Sequence, residues 1–248
     1  MVDAASFPAI FPDRFNMLSF SGICCAVTGR IYWLNGLNYF LAFESLKIFV
    51  MSTMNNLKTF VSKYVSLTDE EFEYFESLFE IRHFKKKELL IREGEVEKYL
   101  NYIDSGSAML FFLKGKDEIV MEFAIENEVI GCFNSYFSKK PSHFSIEAME
   151  PLTVFSLTLE NLETLFAYSV KIETLGRLFT REAYLKKTDF DYNRARTTTE
   201  KRFVEFVQNN GHLIQRVPQK YLASYLGIKP ETFSRMKHLI KNHKEKRR

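Results

Sequence analysis

The period of the apolar positions changes twice along the chain, and each change marks a different kind of element. Over residues 55–80, Phe72, Phe75, Leu78 and Phe79 recur at helical spacing behind Thr68-x-x-Glu71, the pattern of a capping box. From Ile81 the pattern shifts to short strands: Glu88–Arg92, Tyr99–Asp104, Ala108–Leu113, Ile119–Ile125, His143–Met149 and Thr153–Leu157. Gly94, Gly106, Gly115 and Gly131 fall between them or at their ends, where turns are needed. Many short strands at near-regular spacing predict a sandwich or small barrel. No Pro occurs from Leu152 to Val217, and Leu159–Asn193 is mostly helix-compatible. Ile172, Leu175 and Phe179 form one apolar stripe there, and Leu178, Leu185 and Tyr192 continue at seven-residue spacing. A helix packed on its own barrel and a helix paired with a twin both fit those stripes. Asn193–Thr199 reads as a hinge, and Thr197-x-x-Glu200 as the cap of a helix over Glu200–Asn209.

Residues 216–241, RVPQKYLASYLGIKPETFSRMKHLIK, read as two short helices with a sharp turn. Pro218 suits a first helical turn, and Leu222, Ala223 and Leu226 share one face. Gly227 falls where the chain must reverse, and Pro230 opens a second helix with Phe233, Met236, Leu239 and Ile240 inward. Ala223 is small where the second helix must come close. This is helix-turn-helix spacing, in which the second helix enters the major groove of DNA. Glu231, Thr232, Ser234, Arg235 and His238 lie on its outer face. Arg bonds guanine bidentately and Glu accepts from cytosine, so Arg235 and Glu231 are the expected base readers; Lys220 and Lys237 are the expected phosphate contacts.

Charge sharpens this reading. The whole chain carries only +3, but residues 194–248 hold 14 Lys and Arg against 4 Glu, whereas residues 54–193 hold 17 basic and 24 acidic side chains. A basic C-terminal unit beside an acidic one fits a polyanion bound through one end. With aromatics at 15% the chain is not disordered throughout. Cys24, Cys25 and Cys132 make no disulfide framework and no C-x-x-C pair, which points to a reduced, cytoplasmic setting. His83, His143, His212, His238 and His243 show no metal-ligand spacing. There is no nucleophile elbow, P-loop or paired-carboxylate signature, so neither an enzyme nor a cofactor or metal site is expected. Residues 1–53 hold apolar clusters without a clear period, interrupted by Arg30, Glu44 and Lys47. No uninterrupted apolar span of about 20 residues occurs among them, so no membrane association is expected. The change of character at Met54 reads as the natural start, Met51 being the alternative, with the preceding segment an over-extended frame outside the fold.

In RVPQKYLASYLGIKPETFSR, with Glu231 followed by Ser234 and Arg235, the chain resembles the Crp–Fnr family of bacterial regulators, in particular members from Bacteroidetes-type bacteria. The resemblance extends from about residue 54 to the end. It implies an α+β architecture: a double-stranded β-helix (jelly-roll) sensor over 54–158, a dimerisation helix over 159–193, and a winged helix-turn-helix over 194–248. It also implies a homodimer that reads a near-palindromic site in double-stranded DNA, with a small-molecule effector in the roll. The matching effector turn, IGCFNSYFSKKPSHFSIEA, departs from cyclic-AMP-binding members. Gly131 is kept, but Cys132 stands where those members place Glu, and Ser142, His143 and Phe144 replace their Arg-Ser/Thr-Ala. No Arg lies between Arg92 and Arg177, and Lys139 and Lys140 lack the bidentate fork of a guanidinium. Three cysteines also fall short of the four that hold an iron–sulfur cluster in some members. Cyclic AMP is therefore not the expected effector, and Phe123, Phe133, Phe144 and Ile146 are expected to line the interior. Cys132 reads as a packing residue rather than a redox sensor. Two other readings remain: a regulator that does respond to cyclic nucleotide, and a β-roll module acting through protein contacts rather than DNA.

Overall fold

The computed structural model describes residues 24–27, 30–33 and 55–245, with side chains described for 55–237. The chain divides into two compact units, Met1–Met51 and Ser52–Arg248. In the first, β1 (Cys24–Val27) and β2 (Arg30–Trp33) pair as an antiparallel hairpin. The expectation that residues 1–53 stand apart from the fold rests otherwise on residues outside those described.

The second unit begins with helices α1 (Asn55–Ser62) and α2 (Asp69–Ser77). The capping box forms as expected: Glu71 N–H donates to Thr68 Oγ1 and Thr68 N–H donates to the Glu71 carboxylate. Eight strands follow: β3 (Glu80–Phe84), β4 (Leu89–Ile91), β5 (Tyr99–Ser105), β6 (Ala108–Lys114), β7 (Asp117–Ala124), β8 (Val129–Ile130), β9 (Ser145–Ala148) and β10 (Leu152–Thr158). They build two four-stranded antiparallel sheets, one in the order β3-β10-β5-β8 and the other β4-β9-β6-β7. The six expected strands are all present. The strand β3, the two-residue β8 and the short helix α3 (Phe133–Ser138) are not among those expected; β8 and α3 are too short to show a period.

Both faces of each sheet are covered, so the central strands read as apolar runs and not as clean alternation. Ala108 and Leu110 of β6, with Ile146 of β9 beside them, face the other sheet, where Ile103, Ile130, Leu152 and Val154 close the roll's core. On the outer face of β10, Phe155 and Leu157 pack with Tyr102 against α1, α2, α4 (Leu159–Tyr168) and α5 (Val170–Arg196). Met109 and Phe111, on the outer face of β6, pack instead on the C-terminal helices. The expectation that Phe123 lines the interior holds in part: it borders the cavity described below but also packs with the C-terminal helices. The register slips between Leu110 and Phe111, which pair with Glu122 and Val120, leaving Met121 as an extra residue. Val120 and Phe123 consequently both turn outward, and Phe123 packs with the C-terminal cluster.

The helical region differs from expectation in three places. It breaks at Ser169 into α4 and α5, and α5 runs on through Arg196, leaving a hinge of two residues. The next cap is Thr198, not Thr197: Thr198 Oγ1 accepts from Lys201 N–H, while Thr197 Oγ1 donates back to the Asn193 carbonyl. Adjacent threonines make this register ambiguous in sequence. The chain then forms α6 (Thr199–Asn209), α7 (Leu213–Arg216), α8 (Gln219–Leu226) and α9 (Pro230–Glu245). Among the described residues no strand follows β10, so the expected wing has no counterpart there; the segment between α6 and α8 is taken up by α7.

These helices sit on the β4-β9-β6-β7 sheet through Phe203, Phe206, Leu213, Val217, Leu222, Ala223 and Phe233. Polar contacts fix the seat. Val120 N–H donates to Ser224 Oγ at 3.0 Å and Ser224 Oγ donates to the Glu118 carbonyl at 2.8 Å, satisfying groups on the edge strand β7. Arg216 forks onto Glu126, at 2.7 and 2.8 Å, and reaches Glu150 at 2.5 Å.

The arginine holds the Glu126 carboxyl down at about 2, so the pair contributes stability above pH ~4.5 that is lost as pH falls toward 2. Acid unfolding of the wild type should therefore be steeper in that window than that of Arg216→Ala. At neutral pH the substitution should cost about 1–2 kcal/mol in urea titration. Equal stability of both proteins at neutral pH contradicts the assignment. Phe233, 1% exposed and edge-on to Phe203 at 5.1 Å, should cost about 3–5 kcal/mol when truncated to Ala.

Candidate functional site

Two places in the fold concentrate polar groups that packing does not explain. The first is the outer face of α9. Gly227 reverses the chain at φ 69°, a left-handed conformation that glycine adopts without strain, and its N–H closes α8. Gln219 Nε2 donates to the Pro230 carbonyl at 3.0 Å and ties the two helix starts together. Phe233 turns inward, and Met236 is partly buried beside it. Glu231, Ser234 and Arg235, spaced i, i+3, i+4, are brought together on the exposed face; Thr232 is half-buried and Lys237 exposed. The side chain of His238, like those of Leu239 and Ile240, lies outside the described residues. Lys220 differs from the rest: it reaches Glu118 of β7 at 3.2 Å and lies over the Tyr221 ring, on the side of the unit that faces the roll.

The second place is a cavity of about 600 Å³ between the roll, α5 and α8. It collects all five expected effector residues, Gly131, Cys132, Ser142, His143 and Phe144. A Cβ at Gly131 would lie 2.9 Å from the end of the Leu100 side chain, which would have to shift to admit it. Cys132 is 3% exposed, and burial pushes its thiol up to about 11, which makes it a packing group with no thiolate to react at neutral pH. Ser142 Oγ is occupied within its own loop, donating to the Phe144 carbonyl and accepting from Phe144 N–H.

Glu97, beneath the turn, is the residue that sequence reasoning missed. Its carboxylate is buried and accepts from Cys132 N–H at 3.2 Å and Tyr99 N–H at 3.1 Å, while its own N–H donates to Ser135 Oγ at 2.9 Å. A turn that already spends an N–H on a carboxylate offers a poor seat to a phosphate. In sequence Glu97 lies in the acidic run Glu93-Gly94-Glu95-Val96-Glu97, where nothing local separates it from its neighbours. Phe179, Lys186 and Phe190 of α5 and Tyr225 of α8 also line the cavity, and only the tertiary fold brings them there.

Comparison with known proteins agrees with this architecture. Residues 81–169 match the family model of the cyclic nucleotide-binding domain. No curated protein sequence matches the chain. The c-di-GMP-responsive global regulator CLP of Xanthomonas campestris shares the fold with a TM-score of 0.55 and 17% identity, over 71% of this chain and 93% of that one. FixK2 of Bradyrhizobium japonicum aligns with a TM-score of 0.53 and 20% identity, over 67% and 85%. A CooA variant from Carboxydothermus hydrogenoformans aligns at 0.54 and 15%, over 68% and 79%. Identities this low establish a common fold, that of a cyclic-nucleotide-binding-type jelly roll followed by helices. Among the described residues no helix is long and apolar enough to cross a membrane.

Among the described residues that line the cavity there is no arginine, and the Cys132 N–H of its turn is already taken by Glu97. Calorimetric titration with cyclic AMP or cyclic GMP should accordingly show no saturable binding at micromolar concentration. Saturable micromolar heat with either nucleotide contradicts this reading of the turn.

Proposed function

We propose that the protein is a DNA-binding transcription regulator of the Crp–Fnr type, acting as a homodimer and governed by a small molecule that is not cyclic AMP. The observation that carries the proposal is the α8–α9 pair: a glycine-reversed turn, an inner face sealed by Phe233 on Phe203, and Glu231, Ser234 and Arg235 presented outward together. In this reading residues 54–158 are the sensor, 159–193 the dimerisation region and 194–248 the DNA-binding unit, with 1–53 outside the working fold. Arg235 and Glu231 read base edges, Thr232, Ser234 and His238 assist, and Lys237 contacts phosphate. Lys220 must exchange Glu118 for phosphate if it contributes to binding, so its role is conditional on movement of the unit.

Support for the homodimer lies on α5. Ile172 and Leu175 are buried against the chain's own roll, which accounts for the first apolar stripe. Leu185 and Tyr192 of the second stripe are more than half exposed, as is the neighbouring Tyr184. A twin helix would cover them and place two recognition helices in successive major grooves.

Selection of duplexes from a random pool should return a near-palindromic motif. Arg235→Ala should then lose about 1–3 kcal/mol of discrimination at one base pair per half-site. An unchanged motif removes Arg235 from the reading role, and the absence of any enriched motif removes the proposal.

A further inference from the structure

We infer that the cavity between the roll and the helices takes an organic cation, a primary or secondary ammonium on an apolar or aromatic body, with Glu122 as its counter-ion. This deepens the effector reading given above and rests on it. Glu122 comes from the bulged stretch of β7 and lines the cavity. Among the described residues no hydrogen bond or ion pair reaches its carboxylate. Its side chain is exposed where the cavity opens. The surrounding protein and the Glu128 carboxylate push the Glu122 carboxyl up to about 7, against the pull of Lys187 and Lys186.

The other charged groups in the cavity wall already have partners. Lys186 pairs with Glu182 at 2.9 Å, and Lys187 with Asp191 at 2.8 Å; both lysine side chains are largely in solvent. Glu182 also accepts from the Tyr64 hydroxyl at 2.7 Å, and Glu128 accepts from Ile125 N–H. The Cys132 thiol and the Tyr225 hydroxyl also feel the Glu122 charge, and burial keeps both protonated. Of these carboxylates, Glu122 is the one that no hydrogen bond or ion pair reaches among the described residues, and Glu128 beside it carries a second negative charge with only a backbone N–H as partner.

The surfaces beside it are aromatic. Phe123 and Phe190 each lie about 5.5 Å or less from the Tyr225 ring, and Phe144 and Phe179 extend the wall. Ring faces attract a cation and the rings cover an apolar body, whereas a carboxylate or phosphate ligand would meet Glu122 and Glu128 without an arginine. Tyr225 belongs to α8, so a bound cation would touch the helix that precedes the proposed recognition helix.

The test uses the full chain, with phenethylamine and tryptamine as charged probes and 3-phenylpropanol and 3-phenylpropionate as neutral and anionic controls. Calorimetry at pH 8 should show saturable binding of the amines, at least tenfold tighter than either control. Binding should weaken as pH falls from 8 to 6, because free Glu122 takes up a proton that the ammonium must expel. Glu122→Gln should erase the preference for the amines while leaving the melting temperature close to wild type, and Glu122→Asp should keep the preference in part. The inference is overturned if the neutral or anionic probe binds as tightly, if no amine binds, or if Glu122→Gln keeps the preference. Duplex binding is measured separately on the same protein. A chain that binds a specific duplex but no amine loses this inference alone, and one that binds no duplex loses the function it rests on.

Discussion

The structure depends on how the outer face of the β4-β9-β6-β7 sheet is covered. Met109, Phe111 and Val120 would be an exposed apolar patch on an isolated roll, and β7 would be an open edge. The C-terminal helices remove both liabilities at once: Phe203, Phe206 and Phe233 bury the patch, and Ser224 takes up backbone groups of β7. Arg216, set between Glu126 and Glu150, locks the arrangement at its rim. The roll and the two-helix unit therefore share one core, and the strand that lines the cavity also packs directly on the helices.

That shared strand gives the cavity its significance. Glu122 and Phe123 line the cavity while Val120 packs on the helical unit, which Phe123 also touches, so the bulged stretch of β7 borders both. A ligand contacting Glu122, Phe190 and Tyr225 together would bear on the roll, the long helix and α8 without any long-range relay. At the turn in the same cavity wall Glu97 takes up the Cys132 N–H, a donor that an anion bound at the turn would need.

Local signals in the sequence identified local structure well. Helix caps, glycine turns and apolar runs located six strands and the two-helix unit, because those signals depend on a few neighbouring residues. Even there, adjacent Thr197 and Thr198 left the cap uncertain by one position, and the structure selects Thr198. What could not be read was anything set by long-range pairing. The bulge that turns Phe123 outward depends on the register between β6 and β7, and the convergence of Glu97, Glu122, Phe190 and Tyr225 depends on how the layers stack. Lys220 illustrates the limit: its position in the motif marked it for phosphate, and its tertiary setting gives it Glu118.

The central claim, that the basic C-terminal unit engages the DNA backbone and reads it through α9, is tested most directly by duplex affinity across a salt series. If the claim holds, log K falls linearly with log salt, with a slope of about −0.9 for each phosphate contacted, and Lys237→Ala makes the slope shallower by about one contact per protomer. Affinity that is independent of salt, or a slope that Lys237→Ala leaves unchanged together with no preference among duplex sequences, would contradict it.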